Sequence, residues 1–403
     1  MAVIRPFRAI RPDPSAAPRV AAVPYDVVDT EEARALAGGN PLSFLHVSRA
    51  EIDLPPDTDP HDERVYRAAA ERYRDLKGRA PFVEDQEPGV YLYHLDADGH
   101  AQTGVAACYS LDDYEHGVIK KHERTRKDKE DDRTRHIVEL RAQTGPVFLA
   151  HRPNASIDEL ARRVRAGSAP LVDFTALDGV RHAVWPVEGQ YVPAFVEAFR
   201  SVEALYIADG HHRAASAARA REAVRDSSES DFFLAVAFPS DQLRILPYNR
   251  VVRDLNGMTA EDFLREVARS FTITSGAATP ETKGNVSMYV AGQWHTVYLE
   301  SVGVPRGSVI DTLDGNVLQE RLLKPILGIQ DVRTDKRIDF VGGVKGTHML
   351  EQLVDSGKMA VAFSMYPVSI VDLMDVSDAG EIMPPKSTWF EPKLRDGLLI
   401  HEI

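Results

Sequence analysis

The sequence predicts a mixed α/β fold with α+β character, and three observations carry that expectation. Apolar runs of strand length recur along the chain, among them Val90-Tyr91-Leu92-Tyr93-His94-Leu95, Pro146-Val147-Phe148-Leu149-Ala150 and Ala204-Leu205-Tyr206-Ile207-Ala208. Stretches with helical spacing stand between them, such as Val65, Ala69, Tyr73 and Leu76. No run approaches the ~20 apolar residues of a membrane-crossing helix, and no internal repeat interrupts the alternation.

The elements follow in order. Residues 1–30 carry Pro12, Pro14, Pro18 and Pro24 and are expected to run extended over the surface or along a sheet edge. A helix near 31–37 ends at Gly38-Gly39, and another spans about 62–77. The runs 90–95 and 103–111 flank Asp96-Ala97-Asp98-Gly99 and read as a hairpin. After the charged run 120–136 comes a buried strand at 146–150. Ser156-Ile157-Asp158-Glu159 has capping-box spacing, so a helix is expected to start there. Strands at 171–175 and 182–185, a helix at 192–200 and a strand at 204–208 lead into an alanine-rich helix from Gly210 to about 223. Strands at 232–238 and 243–252 precede a helix capped by Thr259 and Asp262, running to about 270. Residues 271–300 are strand-like, with a turn at Ala291-Gly292-Gln293. Helices at 315–326 and 347–355, a strand at 359–364 and a helix at 369–377 complete the chain.

With 403 residues and domains of roughly 100–200, two domains are expected. The first, 1–200, holds the charged 120–136 segment. The second, 201–403, opens with the turn at Asp209, and the two share the site.

The hydrophobic share of 43% is ample for a core, and the net charge of −13 repels the phosphate backbone of nucleic acid. Nucleic acid and membrane are therefore not expected partners. The lone cysteine, Cys108, sits in an apolar run and reads as an inert core residue. Met1-Ala2-Val3-Ile4-Arg5-Pro6-Phe7 lacks the basic-then-apolar order of a signal peptide, so a cytoplasmic location is expected.

The chemistry concentrates at Asp209-Gly210-His211-His212-Arg213. A buried strand passing through one glycine into a helix makes an anion site, because the first helical N–H groups lack partners and the helix dipole is positive there. Gly210 lets a ligand approach the backbone. His211, His212 and Arg213 stand at the end where the dipole disfavours cations, a penalty that a bound anion reverses. Arg213 is suited to grip phosphate oxygens with two parallel bonds. Asp209 is placed to act as general base towards a hydroxyl or to hold magnesium. The plainer alternative is that Asp209 caps the helix and the histidines pack. Zinc is disfavoured, because adjacent histidines on a helix point ~100° apart and no H-E-x-x-H or cysteine cluster occurs.

Two further segments are weaker candidates for substrate binding. Lys121, His122, Glu123 and Arg124 follow an apolar strand and open the charged run. Read as a solvated helix, that run pairs Arg124 with Asp128, Arg126 with Glu130 and Lys127 with Asp131. Lys386 and Ser387 follow Pro384-Pro385, in a rigid loop that either contacts ligand or anchors the terminus through Trp389 and Phe390.

Six segments together resemble the bacterial and archaeal domain of unknown function 1015 family. They are Val23-Pro24-Tyr25-Asp26-Val27-Val28, Lys121-His122-Glu123-Arg124-Thr125, Thr144-Gly145-Pro146-Val147, Ala208-Asp209-Gly210-His211-His212-Arg213, Leu246-Pro247-Tyr248-Asn249-Arg250 and Met383-Pro384-Pro385-Lys386-Ser387-Thr388. The Asp-Gly-His-His-Arg element alone is similar to one in the free serine kinases of the ParB/sulfiredoxin-like fold. That resemblance implies a nucleotide-binding core with added α/β elements. It makes Asp209 and His211 catalytic candidates, and Gly210, His212 and Arg213 phosphate contacts. The kinases also use an N-terminal glutamate, for which no counterpart aligns here.

The expected function is a small-molecule kinase that moves a phosphoryl group from ATP or ADP to a hydroxyl-bearing metabolite, with L-serine leading and Mg2+ bridging phosphate oxygens. A nucleotide-binding switch without transfer chemistry, and a phosphate-ester hydrolase, are the alternatives.

Overall fold

The computed structural model describes residues 1–78, 82–302 and 307–403. The chain forms two compact units, Met1–Leu243 with Pro392–Ile403, and Arg244–Glu391. The boundary expected at residue 200 falls inside the first unit. The Leu205–Asp209 strand lies beyond that boundary, yet it pairs with Ile119–Lys120 and Val147–His151, which lie before it.

The first unit is built on a mixed nine-stranded sheet among the described residues. Eight strands run in the order Ile119–Lys120, Leu205–Asp209, Val147–His151, Phe232–Pro239, His100–Ser110, Tyr91–Ala97, Arg181–Pro186 and Val172–Thr175, and the ninth, Ile4–Arg5, pairs with His100–Ser110 off this path. The first two strands are parallel, as are Val147–His151 and Phe232–Pro239; the other neighbours along this order are antiparallel. Val147–His151 is buried along its whole length and Phe232–Pro239 nearly so. This is why both read as unbroken apolar runs rather than as alternating ones. Leu149, Phe195, Phe199, Ile207 and Phe233 share the core, and Cys108 is buried within the sheet.

The proline-rich N-terminus departs from a surface run. Ile4–Arg5 does pair with His100–Ser110, but Phe7, Ala9 and Ile10 are buried. The charged run is only partly helical, because the helix begins at Lys127 and residues 121–126 form a loop. Lys127 pairs with Asp131 as expected, whereas Arg126 lies outside the helix and pairs with Asp128, and Glu130 is met by Arg219. The helix Ala155–Gly167 is capped by Asn154, whose side chain accepts from Ser156 and Ile157 N–H, so the Ser156 capping box does not form.

Among its described residues the second unit carries a six-stranded sheet in the order Thr272–Ser275, Gln293–Tyr298, Asn285–Val290, Val361–Met365, Tyr248–Val252 and Ile338–Gly342. The helix Ala260–Ser270 is capped by Thr259 and buries Phe263 and Val267. Pro247 has no N–H for a ladder, and the expected strand 243–252 breaks there into Arg244–Leu246 and Tyr248–Val252. The expected helix 315–326 is an α-helix over Asp314–Leu318 that widens into a π-helical segment, Gln319–Leu323.

Candidate functional site

The turn at Asp209 is placed by strand register. Leu205 pairs with Ile119 and Tyr206 with Lys120 in parallel, so both strands leave the sheet at the same end. Their continuations, Asp209–His211 and Lys121–Glu123, therefore emerge side by side. A register shift between Ile207 and Asp209 against the neighbouring Val147–His151 strand inserts Ala208 as an extra residue. Such a bulge re-aims the side chains beyond it.

Gly210 takes a left-handed conformation, φ +91°, and caps the helix His211–Ala223. Ala214 N–H is the first to reach back, to Gly210 O at 3.1 Å. The N–H groups of His211, His212 and Arg213 stand outside the helix's own ladder, at the positive end of its dipole. This is the strand–glycine–helix turn expected from the sequence.

Asp209 is half-buried beside it. Its Oδ1 accepts from Gly210 N–H at 3.0 Å and its Oδ2 from Lys393 Nζ at 3.1 Å. Burial alone raises this carboxyl, but Lys393 and Arg213 outweigh burial and hold it below the ordinary carboxylate value. Asp209 is ionised at neutral pH.

The two histidines diverge, as adjacent helical residues do. His211 is buried against His122, with ring centroids 4.4 Å apart and planes at 89°. Its Nε2 accepts from His122 N–H at 3.4 Å. Burial, reinforced by His122, pushes His211 well below the usual histidine value. Burial also takes His122 down to about 4, against the opposing pull of Asp209. Both rings are neutral at pH 7. His212 turns the other way, its Nε2 accepting from Arg126 N–H at 3.0 Å. It thereby ties the 121–126 loop to the turn.

Arg213 differs from the phosphate-gripping fork expected of it. Its guanidinium is buried and donates to Pro146 O at 2.9 Å and to Asp26 Oδ1 at 3.0 Å, with Tyr25 beneath at 5.8 Å from the ring centroid. The side chain binds the turn to two other family-like segments instead. Its backbone N–H remains at the helix N-terminus.

Of the loop candidates, Lys121 lies over the Tyr114 ring at 3.7 Å, Glu123 and Arg124 are exposed, and His122 is buried. Lys386 and Ser387 belong to the second unit. There Lys386 Nζ reaches Tyr248 OH at 3.4 Å and Ser387 Oγ donates to Pro384 O at 2.6 Å. Ser387 also lines a small cavity with Tyr248, Arg250 and Asp314. The segments 246–250 and 383–388 thus converge within that unit.

Sequence reasoning missed Lys393, Asp26 and Asp396. Asp26 stood in a quoted segment with no role assigned. Lys393 gives no local signal, because its partner is 184 positions away. Asp396 is buried with one oxygen lacking a protein partner, close to Arg213 and Arg133.

These features define a mixed α/β protein with a strand–glycine–helix turn beside a carboxylate–ammonium pair. The chain belongs to the family described as "Protein of unknown function (DUF1015)", whose model matches residues 4–316. Among solved structures, a mutant free serine kinase in complex with AMP is similar at 12% identity and a TM-score of 0.35, over 73% of this chain and 92% of that one. SbnI with a C-terminal truncation, from Staphylococcus aureus, is similar at 12% identity and a TM-score of 0.41, over 73% and 87%. A conserved hypothetical protein from Pyrococcus furiosus gives 13% identity and a TM-score of 0.34, over 74% and 95%. No curated protein matches the chain. These likenesses are distant, and the functional reading rests on the site itself. Among the described residues no helix is long and apolar enough to cross a membrane.

Proposed function

We propose that the protein is a small-molecule kinase, transferring a phosphoryl group from ATP or ADP to a hydroxyl, with free L-serine the leading acceptor. The observation that supports this reading is the Asp209–Lys393 pair, 3.1 Å apart, at the N-terminus of the His211–Ala223 helix. Phosphoryl transfer asks a protein for positioning and for charge stabilisation. The backbone N–H groups of His211, His212 and Arg213 hold phosphate oxygens, with Gly210 allowing the close approach. Lys393, held by Asp209, offers its remaining N–H bonds to the transferring group. Asp209, ionised, orients the acceptor hydroxyl and takes its proton as the new P–O bond forms and the bond to the nucleotide breaks. Arg124, exposed on the adjoining loop, is available to a substrate carboxylate.

A magnesium ion on Asp209 does not fit this donor set. Both carboxylate oxygens are engaged, and the Lys393 ammonium at 3.1 Å repels a second cation. No step is therefore routed through it, and the nucleotide is supplied in the assay as its magnesium complex.

The test is incubation with ATP or ADP and a panel of hydroxylated metabolites headed by L-serine, with products read by mass spectrometry. A phosphorylated acceptor is expected, and Asp209→Asn should slow its formation by roughly 10²–10⁴-fold. Intact turnover in Asp209→Asn refutes the assigned role. Inorganic phosphate released without acceptor points to hydrolysis, and nucleotide binding without product to a switch.

A further inference from the structure

We infer that His122, Glu123 and His211 form a binding site for a divalent transition-metal ion, zinc(II) foremost. One ligand atom from each lies within 4.8 Å of the others. Zinc bonds of ~2.1 Å at tetrahedral angles set ligand atoms roughly 3.4 Å apart, so shifts of about 1 Å per side chain close the set around an ion.

The backbone places these residues independently of any ion. His122 and Glu123 follow the Ile119–Lys120 strand, and His211 opens the helix after Leu205–Asp209; the parallel register joins the two. Both imidazoles are buried, which fixes their orientation. A backbone hydrogen bond at Ile207 acts on His122, the kind of outer contact that aims a metal-binding ring. The His211 Nε2 lone pair meets only a long 3.4 Å contact from His122 N–H, which an ion readily replaces.

The chemistry of the set selects the ion. Two imidazole nitrogens and one carboxylate suit zinc and its first-row neighbours, whereas magnesium and calcium prefer all-oxygen shells. Glu123 is exposed, so the cluster opens to solvent and leaves a coordination position for water or an anionic ligand. His211 and His212 do point apart, one to His122 and the other to Arg126. The second imidazole, His122, comes from the loop after the Ile119–Lys120 strand, at a separation of 89 residues.

This site does not depend on phosphoryl transfer, and its test uses no activity. The full-length protein is stripped with EDTA, dialysed and titrated with Zn2+ by calorimetry, then loaded with Co2+ for its visible spectrum. One equivalent of zinc is expected, together with an absorption band typical of nitrogen–oxygen coordination. Glu123→Gln should weaken binding at least ~10-fold. His122→Ala and His211→Ala should abolish it, while His212→Ala retains it, with circular dichroism confirming that each variant is folded. Absence of stoichiometric zinc binding, or a folded His211→Ala or His122→Ala variant that binds zinc as the parent does, overturns the assignment.

Discussion

Replacing Asp396 by asparagine should stabilise the first unit, and increasingly so as pH rises. Asp396 is 3% exposed, and its carboxyl is raised to about 7. Burial is the main cause, opposed by Arg213 and Arg133 and assisted by Asp26. In the unfolded chain the same group titrates near 3.8. Between those values the folded protein keeps a proton that the unfolded chain has released, so stability falls as pH rises through the window. The slope is about 1.4 kcal/mol per pH unit, and roughly three units make a loss of order 4 kcal/mol by pH 7. Asparagine keeps the shape and carries no charge. The variant and the parent should therefore be nearly equal at pH 4 and diverge in the variant's favour up to about pH 7. Buried histidines such as His94, His122 and His136, lowered to about 4, impose the opposite slope, but equally on both proteins. The assay is urea unfolding at pH 4 to 8, read by hydrogen exchange in the Val147–His151 strand. A difference that is constant with pH, or that shrinks as pH rises, refutes the reasoning.

Two further outcomes follow from the same corner of the fold. Gly210→Ala should cost about 1–2 kcal/mol from left-handed backbone strain alone, since an added Cβ meets its neighbours at an ordinary 3.5 Å; thermal unfolding should show Gly210→Asn losing less. Asp26→Ala leaves the buried Arg213 without its 3.0 Å partner and should cost about 3 kcal/mol, the low end for a broken buried pair because 34% of the Asp26 side chain is exposed. A neutral result in denaturant unfolding would mean that Arg213 finds its compensation elsewhere.

Local pattern made much of this molecule legible. The helix Val192–Arg200 and the Thr259 cap follow from spacing and end signals that act within a few residues. The Asp209 turn was visible because strand, glycine and helix are contiguous. Its partners were not. Lys393, Asp26 and His122 reach the turn only through sheet register and chain return, which leave no periodic trace. Arg213 shows the limit of reading by residue type. An arginine at a helix N-terminus suits phosphate, but the Asp26 carboxylate and the Pro146 carbonyl were the acceptors within reach. The unit boundary was missed for the same reason, since the last twelve residues rejoin the first unit after a long excursion.

That return has a consequence for synthesis. The first 243 residues leave the ribosome before the second unit, but Lys393 and Asp396 emerge only after it. Arg244 and Glu391 pair across the neck of the intervening segment, so it can fold as an insert while the earlier part waits. A chain stalled or clipped before residue 392 carries the whole Asp209–Arg213 turn without its ammonium partner. Formation of the Asp209–Lys393 pair is thereby tied to translation past residue 393.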